Sequence, residues 1–236
     1  MATRKKIVVL SGAGISRESG IPTFRDSNGM WKQFDAMKLA SVEGFKEDPQ
    51  AVLDFYNARR KKLLEVQPNH AHKMLAELEK YHDVAIVTQN VDDLHERAGS
   101  SCVIHLHGEL KKVTSSIDRF APDCIKEYPL DVPIRLGDKA ADGSQMRPYI
   151  VWFGESLGQE AEIGVLLIEH ADIFVVIGTS LVVYPAALFV NFAKQDAHKF
   201  LIDPGEMEGR LPQGFHHIKK TAVEGIDILL EEISKL

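Results

Sequence analysis

Thiols are nearly absent from this 236-residue chain, which holds two cysteines, Cys102 and Cys124. Two cannot build a disulfide framework, nor can they supply four thiolates to a structural zinc site. An excess of positive charge is missing too. The 28 Lys plus Arg stand against 34 Asp plus Glu, a formal net charge of −6 with histidine neutral. Broad attraction to nucleic acid or to an anionic membrane surface is therefore not expected. A membrane span is also lacking. The uncharged stretch 173–190 has the length of one, but Gly178-Thr179-Ser180 and Pro185 interrupt it, so it reads as a buried strand with a turn beyond it. The segment from Met1 to Ile7 lacks the apolar core of ~7–15 residues that a signal peptide needs, and a cytoplasmic location is the expectation. No internal repeat or low-complexity tract occurs.

What is present is ordinary for a globular protein: 44% hydrophobic and 26% charged residues, in a length that suits one large domain or a domain with an insertion. Short apolar runs alternate with helical patterns. Strands are expected at Ile7–Leu10, Val84–Thr88, Cys102–Leu106, Ile150–Trp152, Ile173–Ile177 and Lys199–Ile202. Runs apolar on both faces mark parallel strands covered on each side. Helices are expected over Asp48–Val66, Asn69–Lys80, Gly158–His170, Pro185–Gln195 and Val223–Leu236. The alternation predicts an α/β fold, a doubly wound, Rossmann-like parallel sheet. Two segments break it, 31–69 and 108–148, and both read as insertions forming a smaller module over the sheet edge. The main domain then comprises 1–30, 70–107 and 149–236.

Gly12-Ala13-Gly14-Ile15-Ser16 follows the first strand directly. A strand leading through Gly-x-Gly into a helix lets backbone N–H groups approach a phosphate. Arg17 stands where a full dinucleotide fingerprint needs Gly or Ala, so a plain tight turn explains the run equally well. The continuation to Phe24-Arg25-Asp26 and Trp31 suggests a flap over a ligand, or a surface loop with one paired arginine. Thr88-Gln89-Asn90-Val91-Asp92 closes the second strand, where open α/β sheets bind ligands; helix capping by Asn90 or Asp92 accounts for it too. His105-Leu106-His107-Gly108 puts two imidazoles on one strand face. The pair could hold a metal, though no third ligand stands near in sequence; one buried structural histidine beside one functional one fits as well, and a histidine at a strand end suits a general base. Tyr56 and Arg59 share a helix face and could meet one carboxylate, though a core tyrosine beside a solvated arginine fits the spacing better. The run Arg59-Arg60-Lys61-Lys62 wraps around its helix and reads as solvated surface.

In order, these motifs resemble the sirtuin (Sir2) family of NAD-dependent protein lysine deacylases over essentially the whole chain. Val151-Trp152-Phe153-Gly154-Glu155 and Gly178-Thr179-Ser180 extend the likeness. The likeness is to the bacterial branch that removes acidic acyl groups as well as acetyl, marked by Tyr56 and Arg59. The resemblance implies NAD across the strand ends, with Gly12, Ala13, Gly14 and Ser16 around its pyrophosphate. It implies Gly178, Thr179 and Ser180 on the adenosine side, with Asp203 at the adenine ribose and Ala222 lining the adenine pocket. Gln89, Asn90, Val91 and Asp92 would meet the nicotinamide end, with Phe24, Arg25 and Trp31 from the flap. His107 would be the general base and Asn90 its catalytic companion. Trp152, Phe153, Gly154 and Glu155 would hold the substrate as an added strand. Tyr56 and Arg59 would hold the distal carboxylate of succinyl- or malonyl-lysine, with small Ala40 leaving room for it. The products implied are free lysine, nicotinamide and O-acyl-ADP-ribose; the partners are acylated lysine peptides or proteins, with no nucleic acid and no membrane. An NAD-binding sensor, or an NAD hydrolase or ADP-ribosyltransferase on the same fold, is the alternative.

Two departures stand out. Where the family carries its first zinc-binding Cys-x-x-Cys, this chain reads Val113-Thr114-Ser115-Ser116, so no zinc is expected. Asp203 replaces the family's usual asparagine.

Overall fold

The structure, a computed structural model, describes residues 4–23, 36–207 and 211–236. Six strands make one parallel sheet: β1 (Lys6–Ser11), β2 (Asp83–Thr88), β3 (Val103–His105), β7 (Ile173–Ile177), β8 (His198–Ile202) and β9 (Phe215–Ile218). Their order is β3-β2-β1-β7-β8-β9. The two faces are assigned by the strand period of two. Ile7, Val9, Ile86 and Val175 face α4 (His70–Leu78) and α7 (Ala222–Ser234). Val8, Leu10, Val87 and Val176 face α6 (Gln159–Glu169) and the 3-10 segment Ala186–Phe192. Both faces are covered, as the doubly wound reading expects.

The helix starts are fixed by side chains. The Asn69 carboxamide oxygen accepts from the N–H groups of Ala71 and His72, at 3.0 and 3.4 Å. Asp48 caps α3 (Pro49–Glu65) at the Ala51 N–H, 2.9 Å, and Thr221 caps α7 at Glu224. Each satisfies a donor that has no partner within its helix. The run from Pro185 has no such cap, and the expected helix there is the 3-10 segment Ala186–Phe192.

One expected strand belongs elsewhere. Residues near Ile150 pair not in the parallel sheet but in an antiparallel one, formed by β4 (Gly108–Ser115), β5 (Lys126–Glu127) and β6 (Met146–Ile150). β3 passes through Gly108, at φ +81°, straight into β4; a Cβ at Gly108 would lie 2.0 Å from the Tyr149 carbonyl oxygen. Only glycine lets β6 return so close. β4 escaped the sequence pattern because its register shifts between Glu109 and Val113, which breaks the alternation that reveals a strand.

The reading of Arg59 to Lys62 as solvated needs a correction at Arg60, which is fully buried. Its guanidinium donates to the carbonyls of Leu110 and Pro129 at 2.5 and 2.6 Å, and more weakly to those of Tyr128 and Val132. Asn57, one turn earlier, exchanges two hydrogen bonds with the Ile134 backbone, at 2.8 and 2.9 Å. At the expected cysteine positions the Ser115 hydroxyl donates to Asp142 at 2.5 Å and accepts from the N–H groups of Ile117 and Asp118. The segment 108–148 is thus held by a buried arginine and a serine hub. Around them Leu53, Val113, Ile134 and Met146 form a small core of their own. Among the described residues no helix is long and apolar enough to cross a membrane.

Candidate active site

One line of register crosses the sheet: His105 opposite Thr88, Thr88 opposite Ser11, Ser11 opposite Ile177, Ile177 opposite Ile202. Every segment leaving that line at the C-terminal strand ends carries residues singled out above. Gly12 to Ser16 follow β1, Gln89 to Asp92 follow β2, His107 follows β3, Gly178 to Ser180 follow β7, and Asp203 follows β8. In a parallel sheet this edge is where ligands bind.

The loops after β1 and β7 interlock. A Cβ on Gly12 would come within 2.6 Å of the Thr179 Cβ, one on Gly14 within 2.7 Å of the Gly178 oxygen, and one on Gly178 within 2.3 Å of the Ile15 nitrogen. The glycines are required by this packing, and the Gly14 N–H is already donated to the Gly178 carbonyl at 2.8 Å. The turn after Gly12 is a 3-10 helix, Ala13–Ser19. Gln89 ties the β2 loop to the same pair, its amide donating to the Thr179 hydroxyl at 3.1 Å.

Between them lies a buried polar group. The Ser16 hydroxyl donates to the Asp92 carboxylate at 3.0 Å and accepts from the Asn90 amide at 3.2 Å. The other Asp92 oxygen caps the Leu94 N–H at the start of α5 (Leu94–Ala98), 3.1 Å away; capping and a place in the site coincide. Asp92 is 6% exposed, and burial pushes its carboxyl above the usual range against the bonds from Leu94 and Ser16. Behind Ser16, His72 donates from Nδ1 to the Asn69 carboxamide oxygen at 3.0 Å. Behind Ser11, His95 Nε2 lies 3.0 Å from the hydroxyl, whose own proton goes to Thr88 at 2.8 Å. Sequence reasoning missed both histidines, because nothing in their spacing distinguishes them from surface residues.

His107 Nδ1 faces the Gln89 carbonyl at 3.0 Å. A carbonyl only accepts, so Nδ1 carries the hydrogen and neutral His107 keeps its Nε2 lone pair free for a proton. Burial pushes its pKa down, with the Gln89 bond acting against that and the Arg119 charge adding to it.

On α3, Tyr56 is 1% exposed and packs against Trp152, ring centroids 6.3 Å apart. Arg59 lies over the Phe55 and Tyr56 rings at 5.6 and 5.7 Å. Burial lowers its pKa most, while the charges of Tyr56 and Asp92 oppose the shift. Trp152 to Glu155 are not an open strand. Gly154, at φ +94°, turns the chain, the Glu155 carboxylate caps the Trp152 N–H at 2.8 Å, and Phe153 pairs with Ala40 and Val42 through its N–H and carbonyl. Asp203 spends one carboxylate oxygen on the Gly205 N–H at 2.8 Å, and Ala222 is the buried first residue of α7. Phe24, Arg25 and Trp31 lie outside the described residues. A cavity of about 620 Å³ opens at the opposite strand ends, lined by Lys6, Asp83 and Leu166 among others; none of the residues above borders it.

The donor set suits a nucleotide with an amide-bearing base: a carboxylate and hydroxyl for sugar hydroxyls, a carboxamide for an amide, and a neutral imidazole for a proton. A family model described as "Sir2 family" matches residues 12–185. An NAD-dependent protein deacylase of Bacteroides thetaiotaomicron is 53% identical over 95% of this chain and 96% of its own. One of Helicobacter pylori is 50% identical over 98% and 99%. Among solved structures, a Sir2 homolog–NAD complex superposes with a TM-score of 0.83 at 37% identity, covering 98% of this chain and 90% of that one.

Proposed function

The chain belongs to the Sir2 family and acts as an NAD-dependent protein deacylase; we propose that His107 is its general base, and that acidic acyl-lysines are among its substrates. One observation supports the base above others. His107 gives its Nδ1–H to Gln89, a neighbour of Asn90, so one short segment sets both the base's tautomer and the carboxamide beside it.

When bound, NAD supplies a glycosidic bond to nicotinamide whose rupture accompanies transfer of the acyl group to the ribose. This chain's residues do the rest. Asn90, locked through Ser16, presents its carboxamide oxygen to the nicotinamide end, and Asp92, whose two oxygens already accept from Ser16 and Leu94, meets it through their second lone pairs. His107 Nε2 takes the proton of a ribose hydroxyl as that hydroxyl becomes the nucleophile. Thr179 and Asp203, at the ends of β7 and β8, face the adenosine half. Tyr56 and Arg59 receive the distal carboxylate, a charge-assisted contact that a methyl group cannot make. Because Phe153 already pairs within the chain and Gly154 turns it, Phe153 meets the substrate through its ring, and Trp152, buried against Tyr56, supports it from behind. The described residues 36–69, with 108–148, form the smaller module that carries this acyl end.

The test is turnover of one peptide bearing acetyl-, succinyl- or malonyl-lysine, with and without NAD, read by mass spectrometry. His107→Ala should abolish NAD-dependent loss of every acyl group. Arg59→Met should spare deacetylation and cut desuccinylation at least tenfold; equal loss of both counts against Arg59. NAD binding without turnover of any peptide would favour a sensor.

A further inference from the structure

The reading above uses His107 and leaves His105 without a task. His105 lies two residues earlier, at the end of β3, and makes the same contact one residue along: its Nδ1 lies 2.9 Å from the Asn90 carbonyl. Between them the Leu106 N–H bonds the Thr88 carbonyl at 2.9 Å. Two imidazoles therefore hold two consecutive carbonyls at the point where the chain leaves β2, where no strand partner remains to do so.

The other nitrogen of His105 differs from that of His107. His105 Nε2 lies 2.8 Å from a Glu96 carboxylate oxygen, and its side chain is 7% exposed. A carbonyl and a carboxylate both only accept, so this geometry asks for a hydrogen on each nitrogen. We propose that His105, held as an imidazolium by Glu96 of α5, is a positioning residue for Asn90: it fixes the Asn90 backbone so that the carboxamide reaches Ser16 and the nicotinamide end of NAD. The inference rests on the site assignment above.

The groups facing His105 agree. Burial disfavours its charge, but Glu96, Glu109 of β4 and the Asn90 carbonyl favour it more, and its pKa is raised. Asp92 feels the same cation, and His95, on α5, is kept neutral partly by it. Lys111 and Lys112, on β4, pair with Glu109 at 3.5 and 2.5 Å, and the charge of Lys111 also reaches Glu96. As pH rises through the folded pKa of His105, Nε2 keeps its hydrogen on the stronger acceptor, the Glu96 carboxylate, and Nδ1 loses its own, so two lone pairs meet across the 2.9 Å to the Asn90 carbonyl and the clamp loosens on the alkaline side.

The test has a cofactor-free arm and a cofactor arm. In nitrogen-15 spectra of the cofactor-free protein, the backbone and side-chain amide signals of Asn90 should follow the titration of His105. In Glu96→Gln, which keeps the acceptor and removes the charge, that titration should move to lower pH. Asn90 signals indifferent to His105 overturn the proposal, whether or not NAD binds. By calorimetry, NAD affinity of the wild type should fall on the alkaline side. Glu96→Gln should lose five- to tenfold at pH 7.5, Glu96→Asp should recover most of it, and kcat at saturating NAD should change less than twofold. The same pH course in wild type and Glu96→Gln, with matched melting temperatures, overturns it. A wild type that binds no NAD refutes the site assignment instead, and the spectra still decide the clamp.

Discussion

At the scale of single residues, burial and hydrogen bonding set the protonation states, and two pH dependences follow. The base proposed above, His107, acts in its neutral form, and burial holds its folded pKa below the ordinary 6.5. The acid limb of kcat/KM should therefore lie below pH 6.5; a limb above it would show that another group carries the proton. His72 is fully buried, and burial pushes its pKa down to about 4 from 6.5. The unfolded chain binds a proton below pH 6.5 and the folded one does not until about 4, so stability is lost as pH falls across this window. One such histidine contributes ~3 kcal/mol there. Urea unfolding at pH 7 and pH 4.5 should show the loss, and His72→Gln should flatten the slope.

At the scale of elements, legibility followed periodicity. β1, β2 and β7 were readable because both faces are apolar. β4 was not, because a register shift disrupts its alternation, and β9, Phe-His-His-Ile, carries too little apolar pattern to stand out. In the candidate site, that Gly12 to Ser16, Gln89 to Asp92 and His107 gather at one sheet edge was legible because each follows a strand. His72, His95 and the task of His105 were not, since a burial partner far away in sequence leaves no local trace. Arg60 was misread for a related reason: its partners are carbonyls 50 to 72 residues away, and backbone has no sequence signature. Arg60→Ala should strip several buried carbonyls of their donor, each costing about 1–3 kcal/mol when unpaired. Thermal unfolding should show a loss of at least ~3 kcal/mol, with Arg60→Lys intermediate because an ammonium cannot span those carbonyls. Elemental analysis of the purified protein should find no stoichiometric zinc; one zinc per chain would refute the staple reading of Arg60 and Ser115.

At the scale of the whole molecule, the sheet is packed by two large cores, one on each face, while the residues around α3 gather in separate ones. Leu94, at the start of α5, belongs to the α3 core, yet it sits two residues past Asp92. The join between the two sets of cores thus runs through the segment proposed above to meet the nicotinamide end of NAD. Cores that share so few residues should open separately, and ligand bound across the join should couple them. Hydrogen exchange provides the check. Without NAD, amides of 108–150 should exchange faster than those of β1, β7 and β8, and Arg60→Ala should accelerate the first set alone. With NAD at about a hundred times its Kd, mass action adds ~2.7 kcal/mol to global stability. Protection should then rise in both sets, and most at Val91 to Leu94, where the chain passes from one core to the other. Uniform exchange across all segments without NAD would mean a single cooperative unit. Protection confined to the sheet with NAD would place the ligand on the strand ends alone, leaving Tyr56 and Arg59 to meet the acyl group without help from the cofactor.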